Sequence, residues 1–292
     1  MTPETTPLIR FALPKGRMQD SVTQLMADAG VRLRASSRGY RPLINLPGVE
    51  TKVLKPQNIV EMLHHGSRDL GFAGGDWVRE KGFESSLVCV LDTGLDPVRI
   101  VAAAPRELLV DGALPKQPLR VASEYERLTR AWIAAGGLDA TFVRSYGATE
   151  VFPPEDADCI VDNTATGATL EANGLKIVDE LMRSSTRLYA NPRALEVTEK
   201  RTLVEDLVLL LESVLQARKR VMIEVNVTRD RLDAVVAALP CMREPTIAAL
   251  HGDAGYAVKA AVPRDELPRL IPALKAHGGT DVVVSKLDQI VP

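Results

Sequence analysis

The segment 162–169 combines an acidic residue, three threonines and a glycine directly after a short apolar run. The run 159–161 predicts a buried strand, and the small polar residues after it predict a turn into a helix that continues over 171–175. Unpaired backbone N–H groups and threonine hydroxyls at such a turn suit a phosphate, and Gly167 lets the backbone approach it closely. A capped helix after a core strand, with no ligand, is the alternative interpretation.

A carboxylate beside a phosphate turn indicates a sugar, because it repels phosphate but accepts hydrogen bonds from hydroxyl groups. Asp162 is the first candidate for this role. The carboxylate and the turn together predict a site for a ribose 5-phosphate. The predicted phosphate-binding residues of the turn are Thr164, Ala165, Thr166, Gly167, Ala168 and Thr169.

Strand and helix patterns alternate through the first 218 residues, which predicts parallel sheets and an α/β fold. We expect two lobes, the first formed by residues 1–91 with 176–218 and the second by residues 92–175. Ligands of such folds bind at the carboxyl ends of the strands. The last segment, 219–292, has the ferredoxin-like order βαββαβ. It carries neither a phosphate turn nor a nucleophile, which indicates a regulatory or oligomerising domain.

The composition is that of an ordinary soluble globular protein, with 46% hydrophobic and 25% charged residues and a formal net charge of −2. This charge argues against binding to nucleic acid, which needs a strongly basic face. No apolar run reaches the ~20 residues of a membrane span. Residues 1–7 lack the pattern of a signal peptide, so we expect a cytoplasmic protein without a membrane partner.

Four segments resemble motifs of the long form of ATP phosphoribosyltransferase, the enzyme that opens histidine biosynthesis. They are Leu13-Pro14-Lys15-Gly16-Arg17, Asp69-Leu70-Gly71-Phe72-Ala73-Gly74-Gly75-Asp76, the turn 162–175, and Pro245-Thr246-Ile247. Their order matches the family, and the resemblance extends from about residue 8 to the end of the chain. It implies two lobes like those of periplasmic binding proteins, an active site between them, and a C-terminal regulatory domain.

The activity implied by this resemblance is transfer of the phosphoribosyl group of phosphoribosyl diphosphate to N1 of ATP, with release of diphosphate. Adenine N1 carries no proton, so no general base is required and we name no catalytic acid or base. Mg²⁺ is expected to bridge the diphosphate oxygens, with water and phosphate as its main ligands and no predicted protein ligand.

Four further residues are assigned to phosphoribosyl diphosphate. Glu150 matches a family glutamate and is the second candidate acceptor for the ribose hydroxyls; a solvated charge is the alternative. Lys15 and Arg17 follow a strand end and are expected to bind the diphosphate, because positive charge at a helix start otherwise opposes the helix dipole. Lys55 stands where the family has arginine. A positive charge is retained, but lysine cannot bind a phosphate group through two parallel N–H donors as arginine does.

ATP is harder to place because the chain has no Gly-x-x-x-x-Gly-Lys-Ser/Thr motif. Gly74 and Asp76 are the predicted contacts, although Ala73 replaces the threonine usual in this motif. Arg38 belongs to a basic stretch that either faces the ATP phosphates or forms a solvated loop.

The C-terminal domain is expected to bind histidine as a feedback inhibitor. Thr246 lies in the matching motif, and Glu224 or Asn226 would meet the amino group. The family assembles into hexamers from dimers, so a homo-oligomer is implied.

Two other functions are compatible with the same residues. One is a two-lobed cytoplasmic small-molecule-binding protein without turnover. The other is a phosphoribosyltransferase with a different nitrogen acceptor, because a phosphate turn does not specify the acceptor.

Overall fold

The computed structural model describes residues 9–35 and 39–291, which form two compact units. The first unit holds the described residues up to Gln24 together with Val31–Glu205. The second holds Leu25–Gly30 and the described residues from Asp206 onward. None of the helices in these described ranges is both long and apolar enough to cross a membrane.

Strands and helices alternate along the chain. The strands are β1 (Ile9–Pro14), β2 (Leu33–Arg34), β3 (Leu43–Ile44), β4 (Val49–Leu54), β5 (Leu70–Gly74), β6 (Val88–Pro105), β7 (Leu119–Ser123), β8 (Ala140–Arg144), β9 (Cys159–Thr164), β10 (Leu175–Ala190), β11 (Arg220–Val227), β12 (Thr246–Ala249), β13 (Tyr256–Pro263) and β14 (Thr280–Lys286). The α-helices are α1 (Gln19–Asp28), α2 (Pro56–His64), α3 (Gly75–Lys81), α4 (Glu126–Ala135), α5 (Ala168–Ala172), α6 (Pro192–Glu196), α7 (Thr198–Arg218), α8 (Leu232–Ala238) and α9 (Leu267–Ala276). Strands β11–β14 and helices α8 and α9 belong to the second unit.

The first unit contains one sheet of eight strands in the order β4-β1-β5-β10-β6-β9-β7-β8. Strands β4, β1 and β5 are parallel and form a first half-sheet. Strands β9, β7 and β8 are parallel and form a second half-sheet. Between them, the long strands β6 and β10 pair antiparallel and belong to both halves. The predicted two-lobed α/β architecture is confirmed by this arrangement.

The first half-sheet is tightly packed against α2. Ile59, Val60 and Leu63 of this helix are fully buried, and so are Phe11 and Ala12 of β1. Gly71 of β5 lies where the helix and β1 meet. A side chain there has no space, so the strand needs glycine at this position.

We expect Gly71→Ala to lower the free energy of unfolding by about 1–3 kcal/mol through overpacking. Its Cβ would lie 2.6 Å from Ile59 Cγ2 and 3.1 Å from Ala12 Cβ. Urea denaturation measures the loss. Because leucine has no Cγ2 branch on its Cβ, Gly71→Ala combined with Ile59→Leu should be more stable than the sum of the two single losses. Simple additivity of the two losses would contradict the assigned clash.

The structure corrects two predicted elements. The helix predicted over 171–175 is wrong: α5 is a single turn, Gly174 adopts φ +72°, and the buried Leu175 already begins β10. The two strands predicted at 87–91 and 99–103 are one strand, β6. Gly94 and Asp96 have positive φ angles, but they do not end the strand. Residues on both sides of them pair with β10.

The second unit contains an antiparallel sheet in the order β12-β13-β11-β14. Alternate residues of β11 are buried with the apolar faces of α8 and α9, whereas the side chains between them are half-buried on the other face. The buried residues of β11 are Val221, Ile223, Val225 and Val227. The element order and strand order confirm the predicted ferredoxin-like βαββαβ domain.

Candidate active site

The turn after β9 is held in shape by its own threonines. Thr164 Oγ1 accepts a hydrogen bond from the backbone N–H of Gly167 at 2.9 Å, and Thr166 Oγ1 accepts one from Ala168 at 3.3 Å. Gly167 has φ +90°, a conformation that side chains disfavour. Thr164 is buried, whereas Ala165, Thr166, Ala168 and Thr169 are exposed. The segment 164–169, here called the phosphate turn, is therefore held in one arrangement by internal hydrogen bonds while most of its residues are exposed.

Asp162 lies at the carboxyl end of β9, beside the phosphate turn. Its Oδ1 accepts hydrogen bonds from Asn163, at 2.7 Å from the backbone N–H and 3.2 Å from the side-chain Nδ2. Burial raises the pKa of Asp162 to about 6; the backbone N–H of Asn163 opposes this shift, while the charges of Glu150 and Glu124 add to it. A partly desolvated carboxylate with an available oxygen is a strong acceptor for alcohol groups.

Glu150 is brought to the same place by a short helical turn, Thr149–Val151, that follows β8. Ala148 begins this turn with φ +49°, and a hydrogen bond of 2.7 Å between the hydroxyls of Ser145 and Thr149 ties the turn to the end of β8. The turn contacts β9, and Glu150 is near enough for its charge to raise the pKa of Asp162. Glu124, which follows β7, is a third nearby carboxylate, and no local motif marks it.

A buried hydrogen-bond chain runs behind these carboxylates. Ser184 Oγ donates to Asp76 Oδ1 at 2.7 Å, and Tyr125 Oη donates to Asp76 Oδ2 at 2.8 Å. Asn163 Nδ2 donates to Tyr125 Oη at 3.3 Å. Asp76 follows the first half-sheet, whereas Tyr125 and Asn163 belong to the second. This chain, Ser184–Asp76–Tyr125–Asn163, joins the carboxyl ends of the two half-sheets.

The predicted ATP contacts lie partly within this chain. Both carboxylate oxygens of Asp76 already accept hydrogen bonds, and its residue is 3% exposed. Gly74 is buried at the end of β5, and a Cβ placed on it would lie 2.1 Å from Asp76 Oδ1. The structure thus assigns both residues a place in the wall of the site. Arg38 lies outside the described residues.

The cations predicted to bind diphosphate stand at the carboxyl end of the first half-sheet. Pro14 and Leu54 are paired across β1 and β4, so that Lys15 and Lys55 follow neighbouring strand ends. Both lysines are exposed, and Lys15 lies over the ring of Tyr40 at 5.1 Å. Arg17 is exposed and donates to the carbonyl of Asp96 at 3.3 Å. These three cations occupy one edge of the sheet.

Arg99 is a cation near the phosphate turn that the sequence did not indicate. It pairs with Thr164 across β6 and β9, and its Nη2 lies 4.0 Å from the point where a Cβ on Gly167 would be. Its side chain also contacts Glu180 at 3.5 Å and is one-third exposed. Only the register of two distant strands reveals this proximity, so no local sequence signal predicts it.

Metal binding has no ready-made protein site in the described ranges. Among these residues, no group of three or more histidine, cysteine, aspartate or glutamate side chains is arranged to hold a metal ion. Magnesium accepts water and phosphate oxygens as ligands.

The predicted histidine-binding residues lie on the second unit. Glu224, Lys259 and Thr246 are directly opposite one another on β11, β13 and β12, and Lys259 Nζ contacts the Glu224 carboxylate at 2.7 Å. Thr246 and Lys259 line a cavity of ≈ 440 Å³. Asn226, two residues beyond Glu224, donates to Asp281 at 3.1 Å. One face of the sheet thus carries all three predicted residues.

Comparison with known families gives two matches that together cover most of the chain. The family described as HisG, ATP phosphoribosyltransferase, matches residues 55–213. The family described as HisG, C-terminal domain, matches residues 217–289.

Individual relatives and a solved structure agree with these matches. The ATP phosphoribosyltransferase of Pelotomaculum thermopropionicum is 35% identical over 97% of this chain and 99% of its own length. That of Desulforudis audaxviator is 36% identical over the same shares. The ATP phosphoribosyl transferase (HisG:HisZ) complex from Thermotoga maritima contains a chain that is 26% identical, with a TM-score of 0.61 over 70% of this chain and 98% of that chain.

Proposed function

Because this chain belongs to the ATP phosphoribosyltransferase family, we propose that it joins phosphoribosyl diphosphate to N1 of the adenine of ATP. Diphosphate is the second product, and the reaction is the first step of histidine biosynthesis. The observation that carries the proposal for the site is the position of the Asp162 carboxylate beside the phosphate turn.

The phosphoribosyl group is proposed to bind at the end of β9. Its 5-phosphate would take hydrogen bonds from the exposed backbone and hydroxyls of the phosphate turn, with Arg99 as a nearby counter-charge. The ribose hydroxyls would donate to Asp162 and Glu150. The two negative charges repel each other, and hydrogen bonds from hydroxyl groups would stabilise both carboxylates. This supports binding of a diol, and not of an anion, between them.

The diphosphate is proposed to face Lys15, Arg17 and Lys55. These exposed cations stand on the other half-sheet, at its carboxyl edge. A magnesium ion carried in with the diphosphate would supply further positive charge to this leaving group, with no protein side chain assigned to hold it. The lysines and the arginine hold the same group in place and stabilise the charge it acquires as it departs.

The bond changes require no strong base. The lone pair of adenine N1 forms a bond to ribose C1 while the bond from C1 to the diphosphate oxygen breaks, and the leaving diphosphate carries away the electron pair. The protein contributes by holding N1 in line with C1 and by binding the leaving group. We propose that the adenine lies along the wall formed by Gly74 and Asp76, which the Tyr125 hydrogen bond connects to the sugar side.

A direct assay tests this function and its two alternatives. Protein, Mg²⁺, ATP and phosphoribosyl diphosphate should give ATP that carries a 5-phosphoribosyl group on N1, together with diphosphate in equal amount. Folded protein that forms no product, yet binds a small molecule tightly by calorimetry, would favour a binding protein without turnover. Product formation only with another nitrogen nucleophile would favour a different phosphoribosyltransferase.

We expect Arg99→Ala to raise KM for phosphoribosyl diphosphate about 10-fold, because one charge-assisted contact near the phosphate is lost. Initial rates at saturating ATP measure this change. Arg183→Ala is the matched control, since Arg183 contacts the same Glu180 at 2.7 Å but is 80% exposed. An equal rise in both variants would mean that the effect comes from Glu180 and not from the phosphate turn.

The C-terminal domain is proposed to bind histidine as a feedback inhibitor. Lys259 suits the carboxylate of a free amino acid, and Glu224 suits its amino group, while Thr246 and the adjoining cavity offer room for a side chain. Calorimetry with the full chain should detect histidine but not histamine, which lacks the carboxylate. Thr246→Trp, which fills the cavity, should weaken inhibition without changing KM for either substrate.

Self-association is also proposed for this domain. Ile247, Val283 and Val284 are exposed to 44%, 53% and 40% on β12 and β14. Apolar side chains on outer strands favour burial against another copy. Analytical ultracentrifugation is expected to show a species larger than one chain, and a strictly monomeric protein at micromolar concentration would contradict this assignment.

A further inference from the structure

We propose that Tyr125 is a positioning residue that holds Asn163 against Asp162 and thereby fixes the carboxylate that binds the sugar. This inference rests on the proposed function, because it assigns a task to a residue behind the proposed ribose site. Tyr125 itself is 1% exposed and does not reach that site. Any influence on the substrate must therefore pass through its hydrogen-bond partners.

The direction of each hydrogen bond follows from the chemistry of the partners. Asp76, as a carboxylate, only accepts, so the single proton of the Tyr125 hydroxyl points to Asp76 Oδ2 at 2.8 Å. The hydroxyl oxygen then offers only lone pairs to Asn163. For this reason the amide of Asn163 must turn its NH₂ group, and not its carbonyl, towards Tyr125 at 3.3 Å.

The orientation of Asn163 has a consequence for Asp162. The Nδ2 group carries two hydrogens, one directed to Tyr125 and the other to Asp162 Oδ1 at 3.2 Å. With the backbone N–H of Asn163, this gives Oδ1 two donors from one residue. No donor to Oδ2 is found in the described part of the chain, so this oxygen is available to a ribose hydroxyl.

Two further contacts hold Tyr125 rigidly. Its ring stacks on Trp77 with centroids 4.6 Å apart, and its backbone N–H donates to Ser123 Oγ at 2.8 Å. Asp76 is itself held at Oδ1 by Ser184. Because the ring and the carboxylate are both fixed, the hydroxyl has one position from which to orient Asn163. A tyrosine kept only for core packing would not need this set of polar partners.

Tyr125→Phe removes the hydroxyl and retains the stacked ring. We expect KM for phosphoribosyl diphosphate to rise about 10-fold, and KM for ATP to rise less, because Asp76 keeps its hydrogen bond from Ser184. Without the tyrosine oxygen, Asn163 is free to turn away from Asp162. The carboxylate then loses a donor, its pKa rises further above about 6, and the acid limb of kcat/KM moves to higher pH.

The matched control is Tyr189→Phe. Tyr189 is also a buried tyrosine, 4% exposed, but its hydroxyl pairs with Arg187 of β10 and not with a member of this chain of hydrogen bonds. We expect loss of the Tyr189 hydroxyl to leave both KM values and the acid limb of the kcat/KM profile unchanged. A similar change in both variants would mean a general loss of packing and would overturn the inference.

A double-mutant cycle tests the proposed route. Asn163→Ala should reproduce the rise in KM, and the double variant Tyr125→Phe/Asn163→Ala should be no worse than either single variant. Additive effects would overturn the inference. If Tyr125→Phe does not fold, Asn163→Ala is the deciding variant. An unchanged KM for phosphoribosyl diphosphate in that variant would exclude an effect of Tyr125 on Asp162 through Asn163.

Failure of this inference is distinguishable from failure of the proposed function. If Asp162→Asn impairs use of phosphoribosyl diphosphate but Tyr125→Phe leaves KM and the pH profile unchanged, only the positioning role is wrong. If Asp162→Asn is also without effect, the sugar site itself is wrong.

Discussion

Replacing Asp162 by asparagine is expected to lower kcat/KM for phosphoribosyl diphosphate about 100-fold or more and, at the same time, to stabilise the fold at neutral pH. The activity is lost because an amide offers one acceptor oxygen and no charge, and each charge-assisted hydrogen bond to the ribose contributes about 1.5–3 kcal/mol. Initial rates measure this loss. Asp156→Asn, an exposed aspartate between β8 and β9, is the control and should retain activity.

The gain in stability follows from the pKa of about 6 that burial gives Asp162. An unfolded aspartate has a pKa near ~3.9, so the folded state prefers the protonated form, and stability falls as the pH rises from about 4 to about 6. Above that range the folded protein carries a disfavoured charge that costs about 1–3 kcal/mol. Asparagine has no such charge.

Urea denaturation at two pH values tests the sign of this effect. The Asp162→Asn variant should be more stable than the unmodified protein at pH near ~8, and the difference should vanish near pH ~4. A variant that loses both activity and stability at neutral pH would mean that Asp162 serves the fold and not the substrate.

The second large effect is expected for Asp69→Asn, which should lower the free energy of unfolding by about 2–4 kcal/mol. The Asp69 side chain is 6% exposed at the start of β5. One oxygen accepts from Arg10 Nε at 3.0 Å, and the other accepts from Lys200 Nζ at 2.9 Å. The amide accepts at one position only, so a cation loses its partner. Side-chain exposures of 38% for Arg10 and 20% for Lys200 keep the expected loss below that of a fully buried pair.

The pH dependence of this stabilisation has the opposite sign to that of Asp162. Burial alone would raise the pKa of Asp69, but hydrogen bonds from Arg10 and Lys200 outweigh it and hold the pKa below its ordinary value. The stabilisation is therefore complete above the unfolded pKa of ~3.9 and is lost as the pH falls through the lower folded pKa.

Denaturation curves at neutral and acidic pH measure the effect of Asp69→Asn. The control is Glu205→Gln, which removes an exposed partner of Arg201 on α7, the same helix that carries Lys200. We expect no resolvable change in that variant, because exposed ion pairs contribute little. A loss for Asp69→Asn that persists unchanged in acid would argue against an ionic origin.

The candidate-site residues that could be named from the sequence alone are those with a local signal. The phosphate turn is marked by small polar residues after an apolar run, and Asp162 and Lys15 follow predicted strand ends. Glu150 depended on the family resemblance. In each case the information lies within a few neighbouring positions, which is the range over which strand and turn patterns act.

Residues brought together by distant strands were not predicted. Tyr125 and Arg99 acquire their importance from partners about 38 and 68 positions away along the chain, and no periodicity encodes such pairing. Asp76 is another example: its burial and its hydrogen bonds from Tyr125 and Ser184 depend on residues far away in the chain, so its own motif does not predict them. The helix predicted over 171–175 failed for a local reason, because Asn173 and Gly174 end α5 after one turn.

We expect the first unit to bend most readily within the two strands that both half-sheets share. Pairing between β6 and β10 changes register repeatedly, with two of these irregularities at Thr186, just where the ribbon passes from one half-sheet to the other. A regular ladder resists bending because hydrogen bonds would have to break, whereas an irregular one has fewer to lose. Asp96, which accepts from Ser21 at 2.6 Å and from Thr186 at 2.7 Å, lies at this elbow. Bending of β6 and β10 would therefore occur mainly near Asp96, where the hydroxyl groups of Ser21 and Thr186 donate hydrogen bonds to its carboxylate.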